Sequence, residues 1–342
     1  MERRTIIIAG TGFIAGIVAI ACILTGYLPA PAPVPAQDTV IVGIMPDESA
    51  ATVFIAQEKG YFAQEGLNLT VKDYQNGAEA IQGMENGDVN LTLSSEYPLV
   101  AEIMGGQDIV VAGTIDKYYG TYLVARRDRG IGSPADLPGK TIALSKNSVG
   151  EFYLGRFLAL NNIPQENVTL VYLSPDAAES NLSGNSGIDA AVTTPLAAYR
   201  FTSLPGNRYV AIPITGGQAT FKVVAGYRDW ITGHPADVTK FLVALNDASR
   251  YAVTNPAGSQ EIVETRANIS GDYLQGVWPA HQYGLSLDQS LVLAMEGEAQ
   301  WMIENNLTAA KSVPDFLGSI YPNSMESADP AGVQLVGAGD HP

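Results

Sequence analysis

Short apolar runs alternate with segments of helical spacing along most of this chain. Val40–Ile44, Val89–Leu93 and Ile109–Gly113 are apolar runs of strand length. The segments between them space their apolar residues for helices, one capped by Ser49 and one over Ala78–Glu85. Strands that alternate with helices of this length predict parallel βαβ units.

The same pattern returns about a hundred residues later. Lys140–Leu144 and Val168–Tyr172 are predicted strands, and Glu151–Asn161 is a predicted helix. Val89–Ser95 aligns with Ile188–Thr194, because each ends a short buried strand in two hydroxyl residues that open a helix. Chance similarity between two βα units is the alternative. We expect two similar α/β lobes whose strand ends face each other.

The chain must then cross between the lobes twice. Glycine-containing segments at Gly113–Tyr118 and Pro213–Gly217 are the predicted outward and return crossings. The C-terminal third has helical spacing at Ala236–Tyr251, Gly258–Thr265, Leu287–Asn305 and Val313–Ile320. The expected organisation is an anchor or signal segment at 1–28, a Pro-rich linker at 29–38, lobe 1 at 39–115 and 215–325, lobe 2 at 116–214, and a loose tail at 326–342.

The N-terminal segment predicts export of everything that follows it. Two arginines precede Thr5–Leu28, a run without charge that is long enough to cross the hydrocarbon core as a helix. Ala19–Cys22 resembles a lipoprotein signal box in which Cys22 would be lipidated, and plain signal cleavage is a third alternative. Pro29–Pro35 forms a semi-rigid stalk. We therefore expect an extracytoplasmic protein tethered to the cell membrane.

Composition and motif content exclude several classes of function. The formal charge of −16 argues against nucleic-acid binding, which uses a basic surface. His234, His281 and His341 lie far apart and outside metal-ligand spacing. Gly-rich phosphate loops and serine nucleophile elbows are absent from the sequence. We expect no enzymatic activity, no cofactor and no metal, in a protein that is a monomer.

Five motifs follow one another along the chain: Ala56–Leu67, Pro98–Gly106, Ser133–Lys140, Gly187–Ala190 and His234–Ala248. The first has the form A-x-x-x-G-Y-F-x-x-E-G-L. In this order they resemble the nitrate/sulfonate/taurine-type periplasmic solute-binding proteins of ABC importers, a group that includes thiamine-precursor binders. Many members place an aromatic residue before a proline in the second lobe, where this chain has Thr193-Thr194-Pro195. The floor of its pocket is therefore expected to differ.

The resemblance implies an α/β, two-lobed periplasmic binding protein of type II, with a small organic solute in the interlobe cleft. Its implied partners are ABC permease and ATPase subunits. The family offers nitrate, bicarbonate, sulfonates and pyrimidines as ligand classes. Alternatives are a tethered ligand-sensing domain and an enzyme like the thiamine-pyrimidine synthases, which share this fold.

Hydroxyl and amide residues at predicted strand-to-helix junctions are the first candidates for ligand contact. At these junctions free N–H groups and the helix dipole favour an anion or a polar head group. Simple helix capping is the alternative for each residue. The candidates are Ser94, Ser95, Asn147, Ser148, Thr193 and Thr194.

Charged residues near the same junctions complete the predicted site. Asp47 and Glu48 follow the first strand, and Glu96 follows the strand that ends in two serines. If they face the ligand, they imply an N–H or ammonium group on it; favourable charge at a helix start is the alternative. Lys117 at the expected outward crossing would supply a positive charge, unless it is a solvated loop residue.

Overall fold

The computed structural model describes residues 39–184 and 186–336. The predicted anchor at 1–28, the linker at 29–38 and lipidation at Cys22 lie outside these residues. Among the residues that are described, no helix combines the length and the apolar character needed to cross a membrane.

Twelve strands and thirteen helices are described in these ranges. The strands are β1 Thr39–Ile44, β2 Asn68–Asp73, β3 Leu91–Ser95, β4 Ile109–Tyr118, β5 Tyr122–Arg126, β6 Thr141–Leu144, β7 Thr169–Tyr172, β8 Ala190–Thr193, β9 Tyr209–Pro213, β10 Thr220–Tyr227, β11 His281–Asp288 and β12 Val333–Gln334. The helices are α1 Ala51–Glu58, α2 Tyr61–Gln64, α3 Gly77–Glu85, α4 Glu96–Met104, α5 Val149–Leu160, α6 Pro175–Ser183, α7 Pro195–Thr202, α8 Arg228–Gly233, α9 Pro235–Thr254, α10 Pro256–Ala267, α11 Gly271–Val277, α12 Gln289–Glu304 and α13 Asn323–Ala328.

The strands form two sheets. The larger has the order β12-β11-β4-β10-β3-β1-β2, and the smaller has the order β7-β6-β8-β5-β9. In the larger sheet β1 pairs in parallel with β2 and β3, whereas β10 pairs antiparallel with both β3 and β4. In the smaller sheet β6 is parallel to β7 and β8, and β5 is antiparallel to β8 and β9. The prediction of an α/β fold with two similar halves is confirmed.

The chain crosses between the sheets at 119–121 and returns at 214–219. The outward crossing predicted at Gly113–Tyr118 is wrong, because these residues belong to β4. Gly113 pairs with Val224 of β10, and Asp116 pairs with Tyr283 of β11. Pairing on both edges holds this segment in the middle of the larger sheet.

Two further predictions for the C-terminal third are wrong. β11 was missed, and the predicted helix Val313–Ile320 is only a short 3₁₀ turn at Phe316–Ser319. The tail expected to be loose from residue 326 is ordered through the end of the described range at 336. α13 buries Met325 in the core, and β12 pairs with the end of β11, which extends the larger sheet by one strand.

Aromatic side chains join helices of the two halves on the side where the chain crosses. Phe152 of α5 stacks on Tyr97 of α4 with a centroid distance of 5.8 Å and meets the edge of Trp301 of α12 at 5.5 Å. Next to them, the Tyr153 and Thr220 hydroxyls share a hydrogen bond of 3.1 Å. We call Tyr97, Phe152 and Trp301 the crossing cluster.

Two glutamates are buried beside the crossing cluster, both fully screened from solvent. Glu96 Oε2 accepts the N–H of Phe221 at 3.0 Å, at the start of β10. The oxygens of Glu298 and Oε1 of Glu96 are buried without a hydrogen-bond partner among the described residues. Burial raises the pKa of Glu96 from 4.5 to about 8, although the hydrogen bonds to its carboxyl group oppose the rise. Burial and the Glu96 charge raise the pKa of Glu298 well above its ordinary value.

Packing at the crossing cluster predicts that alanine has opposite effects on stability at two glycines. Gly155 of α5 lies against Trp301, and a Cβ added there would be 2.4 Å from the indole ring. We expect Gly155→Ala to lower the free energy of unfolding by about 1–3 kcal/mol through overpacking. Gly297→Ala in α12 is the matched control, because nothing lies within 4 Å of its added Cβ and alanine favours a helix by about 1 kcal/mol. Urea denaturation should move the two midpoints in opposite directions; equal midpoints would contradict the packing described.

The buried glutamates predict that mild acid stabilises the fold. Between pH 4.5 and about 8 folded Glu96 keeps a proton that the unfolded chain has lost, so the free energy of unfolding falls as pH rises through this window. Glu96→Gln preserves an acceptor for Phe221 and removes the titration, and we expect a flatter pH profile in urea denaturation. Glu58→Gln on an exposed face of α1 is the control, which should follow the parent profile. A Glu96→Gln profile parallel to the parent's would contradict the assignment.

Candidate ligand-binding site

A cavity of about 160 Å³ lies between the two sheets, at the ends of their parallel strands. Its lining comes from the ends of β1, β2, β3, β6, β7 and β8 with the residues that follow them, from the end of β4 with the outward crossing, and from Lys222 of β10. Crevices at this edge are the usual ligand sites of α/β sheets. A protein cavity of about 150 Å³ can bind one benzene molecule, so this volume suits one small solute. We call this cavity the cleft.

Five helices of eight or more residues begin at the cleft: α3, α4, α5, α6 and α7. The N-cap side chains of α3, α6 and α7, which are Asn76, Ser174 and Thr194, accept backbone N–H groups of their own helices. Ser95 and Ser148 are the N-cap residues of α4 and α5, but their hydroxyls make no capping bond. The five helix starts therefore direct positive dipole ends toward the cleft, and two N-cap hydroxyls are not used for capping.

The structure brings six of the predicted residues together. Those that line the cleft are Asp47, Glu48, Ser95, Ser148, Thr193 and Thr194. Ser94 is buried behind the wall, where its Oγ lies under Gly77. Glu96 belongs to the buried glutamate pair beside the crossing cluster.

Asn147 and Lys117 are not in the lining. Asn147 has a φ of 53° and is exposed, and its N–H donates to Glu151 at 2.9 Å. Lys117 pairs with Asp288 and lies over the ring of Phe221. Successive side chains of a strand point to opposite faces, so Tyr118 faces the cleft while Lys117 faces away. The expectation that Lys117 supplies charge to the cleft is wrong.

Several lining residues were missed by the sequence reasoning. Lys222 could have been found, because it is a charged residue inside the apolar run Phe221–Ala225. The loop after β2 and residues near α6 carried no signal that would separate them from ordinary surface. The other missed polar residues are Gln75, Asn76, Thr121, Ser145, Lys146 and Glu179.

The acidic wall of the cleft is built on hydrogen-bonded neighbours. Asp47 Oδ1 accepts the N–H of Ser49 at 3.1 Å and its hydroxyl at 2.6 Å. Glu48 is 3% exposed; its Oε1 accepts the Tyr273 hydroxyl at 2.5 Å. Burial and then the Asp47 charge raise the pKa of Glu48 to about 7, against the opposing effects of His281 and Tyr273. Glu48 is thus poised to gain or lose a proton near neutral pH.

A layer of aromatic residues supports this wall. His281 Nδ1 lies 2.6 Å from Asp116 Oδ2, and the imidazole stacks between Tyr118 and Tyr283 at centroid distances of 5.2 Å. The Tyr283 hydroxyl donates to the carbonyl of Glu48 at 3.0 Å. Burial disfavours the charged imidazole, but Asp116, Glu48 and Asp47 together outweigh burial and raise the pKa of His281. Because each ring is held by its neighbours, the position of Glu48 is fixed.

Polar groups without partners remain at the cleft. Glu48 Oε2 and Thr193 Oγ1 are buried and accept or donate no hydrogen bond within 39–184 and 186–336. Lys222 is 3% exposed, and its ammonium group makes neither a hydrogen bond nor an ion pair with any described residue. Buried polar groups usually have partners, and a ligand could supply the missing ones. In the same ranges no group of three or more His, Cys, Asp or Glu could hold a metal ion.

Solved structures share this fold. The alkanesulfonate-binding protein from Xanthomonas axonopodis pv. citri, bound to MOPS, superposes with a TM-score of 0.74 over 84% of this chain and 99% of its own, at 17% identity. The nitrate-binding protein from Synechocystis PCC 6803 superposes with a TM-score of 0.65 over 87% of this chain and 89% of its own, at 13% identity. At these identities the likeness establishes the two-sheet periplasmic-binding-protein fold.

Sequence relatives point to the same group. A candidate aliphatic sulfonates-binding protein of Bacillus subtilis (strain 168) is 25% identical over 211 residues, which are 59% of this chain and 62% of the relative. This chain therefore matches less than two thirds of that relative's length. The family described as NMT1/THI5 like matches residues 48–259, more than half of the chain. The chain belongs to the NMT1/THI5-like family.

Proposed function

We propose that this chain is the extracytoplasmic substrate-binding subunit of an ABC importer. It captures a small organic solute, sulfonate- or taurine-like or pyrimidine-like, in the cleft and performs no chemistry on it. The observation that carries the proposal is the convergence of five helix starts and unpartnered polar groups on one small cavity between two sheets. Such a site binds a polar solute without needing a cofactor.

Binding-protein relatives support this function over an enzymatic one. The candidate sulfonates-binding protein and the alkanesulfonate-binding structure are named for the solute they bind. Permease and ATPase subunits are the proposed protein partners. Within the cleft, this chain would bind only the solute. The residues proposed to contact it are those of the lining described above, with Lys222 added to the predicted set.

The proposed mechanism is closure of two lobes around the solute. The lobes are expected to correspond to the two sheets with their helices, and the crossings at 119–121 and 214–219 would act as the hinge. A solute that touches both walls binds the closed form more tightly than the open form and so shifts the population toward it. The permease would then distinguish loaded from empty protein by shape.

Membrane tethering is part of the proposal. Thr5–Leu28 is a charge-free run of helical spanning length that would hold the binding domain at the outer face of the membrane. Cleavage with lipidation at Cys22 would also hold the domain at the outer face of the membrane, through a lipid anchor in place of a spanning helix.

A melting screen tests the ligand class. The panel is nitrate, bicarbonate, taurine, alkanesulfonates and aminopyrimidines. A compound at a hundred times its Kd should raise the free energy of unfolding by about 2.7 kcal/mol, which is several degrees in Tm at about 2–4 °C per kcal/mol. We expect an organic compound to give the largest shift. Nitrate or bicarbonate leading while the organic compounds stay silent would contradict this ligand class.

Two threonines provide a matched pair for the site. Thr193 and Thr92 each bury an unpartnered hydroxyl, but only Thr193 lines the cleft. We expect Thr193→Val to weaken binding of the best panel compound about tenfold, because a hydrogen bond is worth about 1 kcal/mol or more. Thr92→Val should leave the Kd unchanged in the same calorimetric titration. Equal Kd values for both variants and the parent would remove Thr193 from the site.

The tether can be checked independently of the ligand. If Thr5–Leu28 stays uncleaved, the protein should fractionate with membranes, and mass spectrometry should find an N-terminus at Met1 or Glu2. A mature N-terminus at a lipidated Cys22 would replace the uncleaved anchor by a lipid anchor. A protein recovered without either in the soluble extracytoplasmic fraction would contradict tethering.

A further inference from the structure

Two buried charged residues at the cleft form no ion pair within the described part of the chain. Lys222 and Glu48 are each 3% exposed, and both belong to the lining. They have opposite signs, yet they form no ion pair with each other or with any other described residue. Burying a charge without a partner is costly, so this arrangement calls for an explanation in ligand binding.

Carboxylates near Lys222 are already engaged. Its β-sheet neighbours are Ser95 on β3 and Asp116 on β4. Both oxygens of Asp116 are used, one by His281 and the other by the N–H of Gln282 at 3.1 Å. No described carboxylate forms an ion pair with Lys222, so a solute that enters the cleft can supply the counter-charge of its ammonium group.

Glu48 lacks a hydrogen-bond donor, among the described residues, for one of its two carboxylate oxygens. Oε1 is occupied by the Tyr273 hydroxyl, while Oε2 is buried without a donor. The pKa of about 7 leaves the carboxylate ionised in mildly alkaline solution. Asp47 stands beside it and Glu179 is on the opposite wall, so an N–H or ammonium group would be favoured here and a bare anion would be repelled.

We infer that the solute is dipolar, with an acidic group that pairs with Lys222 and an N–H or ammonium group that pairs with Glu48. These two residues then determine which solutes are accepted: Lys222 selects for the acid, and Glu48 selects against acids that lack a nitrogen donor. The inference rests on the proposed function and deepens it. The cavity of about 160 Å³ limits the solute to a compact molecule that can reach both groups at once.

Matched one-ended and two-ended probes test the inference at pH 8, where Glu48 is ionised. Taurine and β-alanine carry both groups, ethanesulfonate and propionate carry only the acid, and ethylamine carries only the amine. Isothermal titration of the parent protein should give a Kd for taurine or β-alanine at least tenfold below those of its one-ended analogues, the difference that one charge-assisted hydrogen bond supplies.

The variants separate the two roles. Lys222→Met should weaken the two-ended and acid-only probes alike, by about tenfold to a hundredfold. Glu48→Gln should bring the two-ended and acid-only probes to nearly equal Kd values and leave their dependence on Lys222 intact. Lys311→Met and Glu58→Gln, at exposed positions outside the lining, are the controls and should match the parent. Melting curves without ligand confirm that each variant is folded.

Failure of the dipolar inference and failure of the proposed function would give different results. Acid-only probes that bind the parent as tightly as two-ended probes, or a Lys222→Met variant with the parent's Kd values, overturn the dipolar inference and leave the binding function intact. The same conclusion follows if none of the five probes binds while an aminopyrimidine or nitrate raises Tm. If no compound of either panel binds, both the inference and the proposed function fail.

Discussion

The insertion of β10 between β3 and β4 is the constraint on which the rest of the structure depends. β10 returns from the smaller sheet and must pair on both edges, which fixes its register against Ser95 and Asp116. Its first residues then lie where the chain crosses, and Phe221 donates its N–H to Glu96 in the buried glutamate pair. The same register turns Lys222 toward the cleft. One strand thus joins the larger sheet, the crossing and the candidate site.

The cleft contains two buried charged residues of opposite sign that form no ion pair with any residue the structure describes. Folded proteins keep buried charges paired, and the larger sheet follows this rule at Asp116 and His281. Lys222 and Glu48 depart from it in the same small cavity. Departures from local rules concentrate at functional sites, where the cost in stability is recovered when the missing partner arrives.

Periodicity predicted the elements but not their pairing. Helix–strand alternation identified both halves, because apolar spacing is a local property. The place of β10 in the sheet could not be predicted, since its partners lie more than a hundred residues away in sequence. β11 was missed although Tyr283, Leu285 and Leu287 alternate with less buried residues at the period of a strand, because the helix predicted over Leu287–Asn305 overlaps its end. At the site, the hydroxyl residues at helix starts were predictable from local chemistry. That Lys222 and not Lys117 lines the cleft could not be predicted, because it depends on which face of each strand meets the cleft.

The crossing cluster has a consequence for how affinity can change. Tyr97, Phe152 and Trp301 lie outside the lining of the cleft, but they pack where the two halves would pivot. The apparent Kd of a two-state binder equals its intrinsic Kd divided by the fraction of molecules in the competent state. If the two halves close on a solute as proposed, a change in these rings would alter that fraction for every solute by the same factor. The strength of capture and the choice of solute would then depend on different parts of the chain, and each could evolve without disturbing the other.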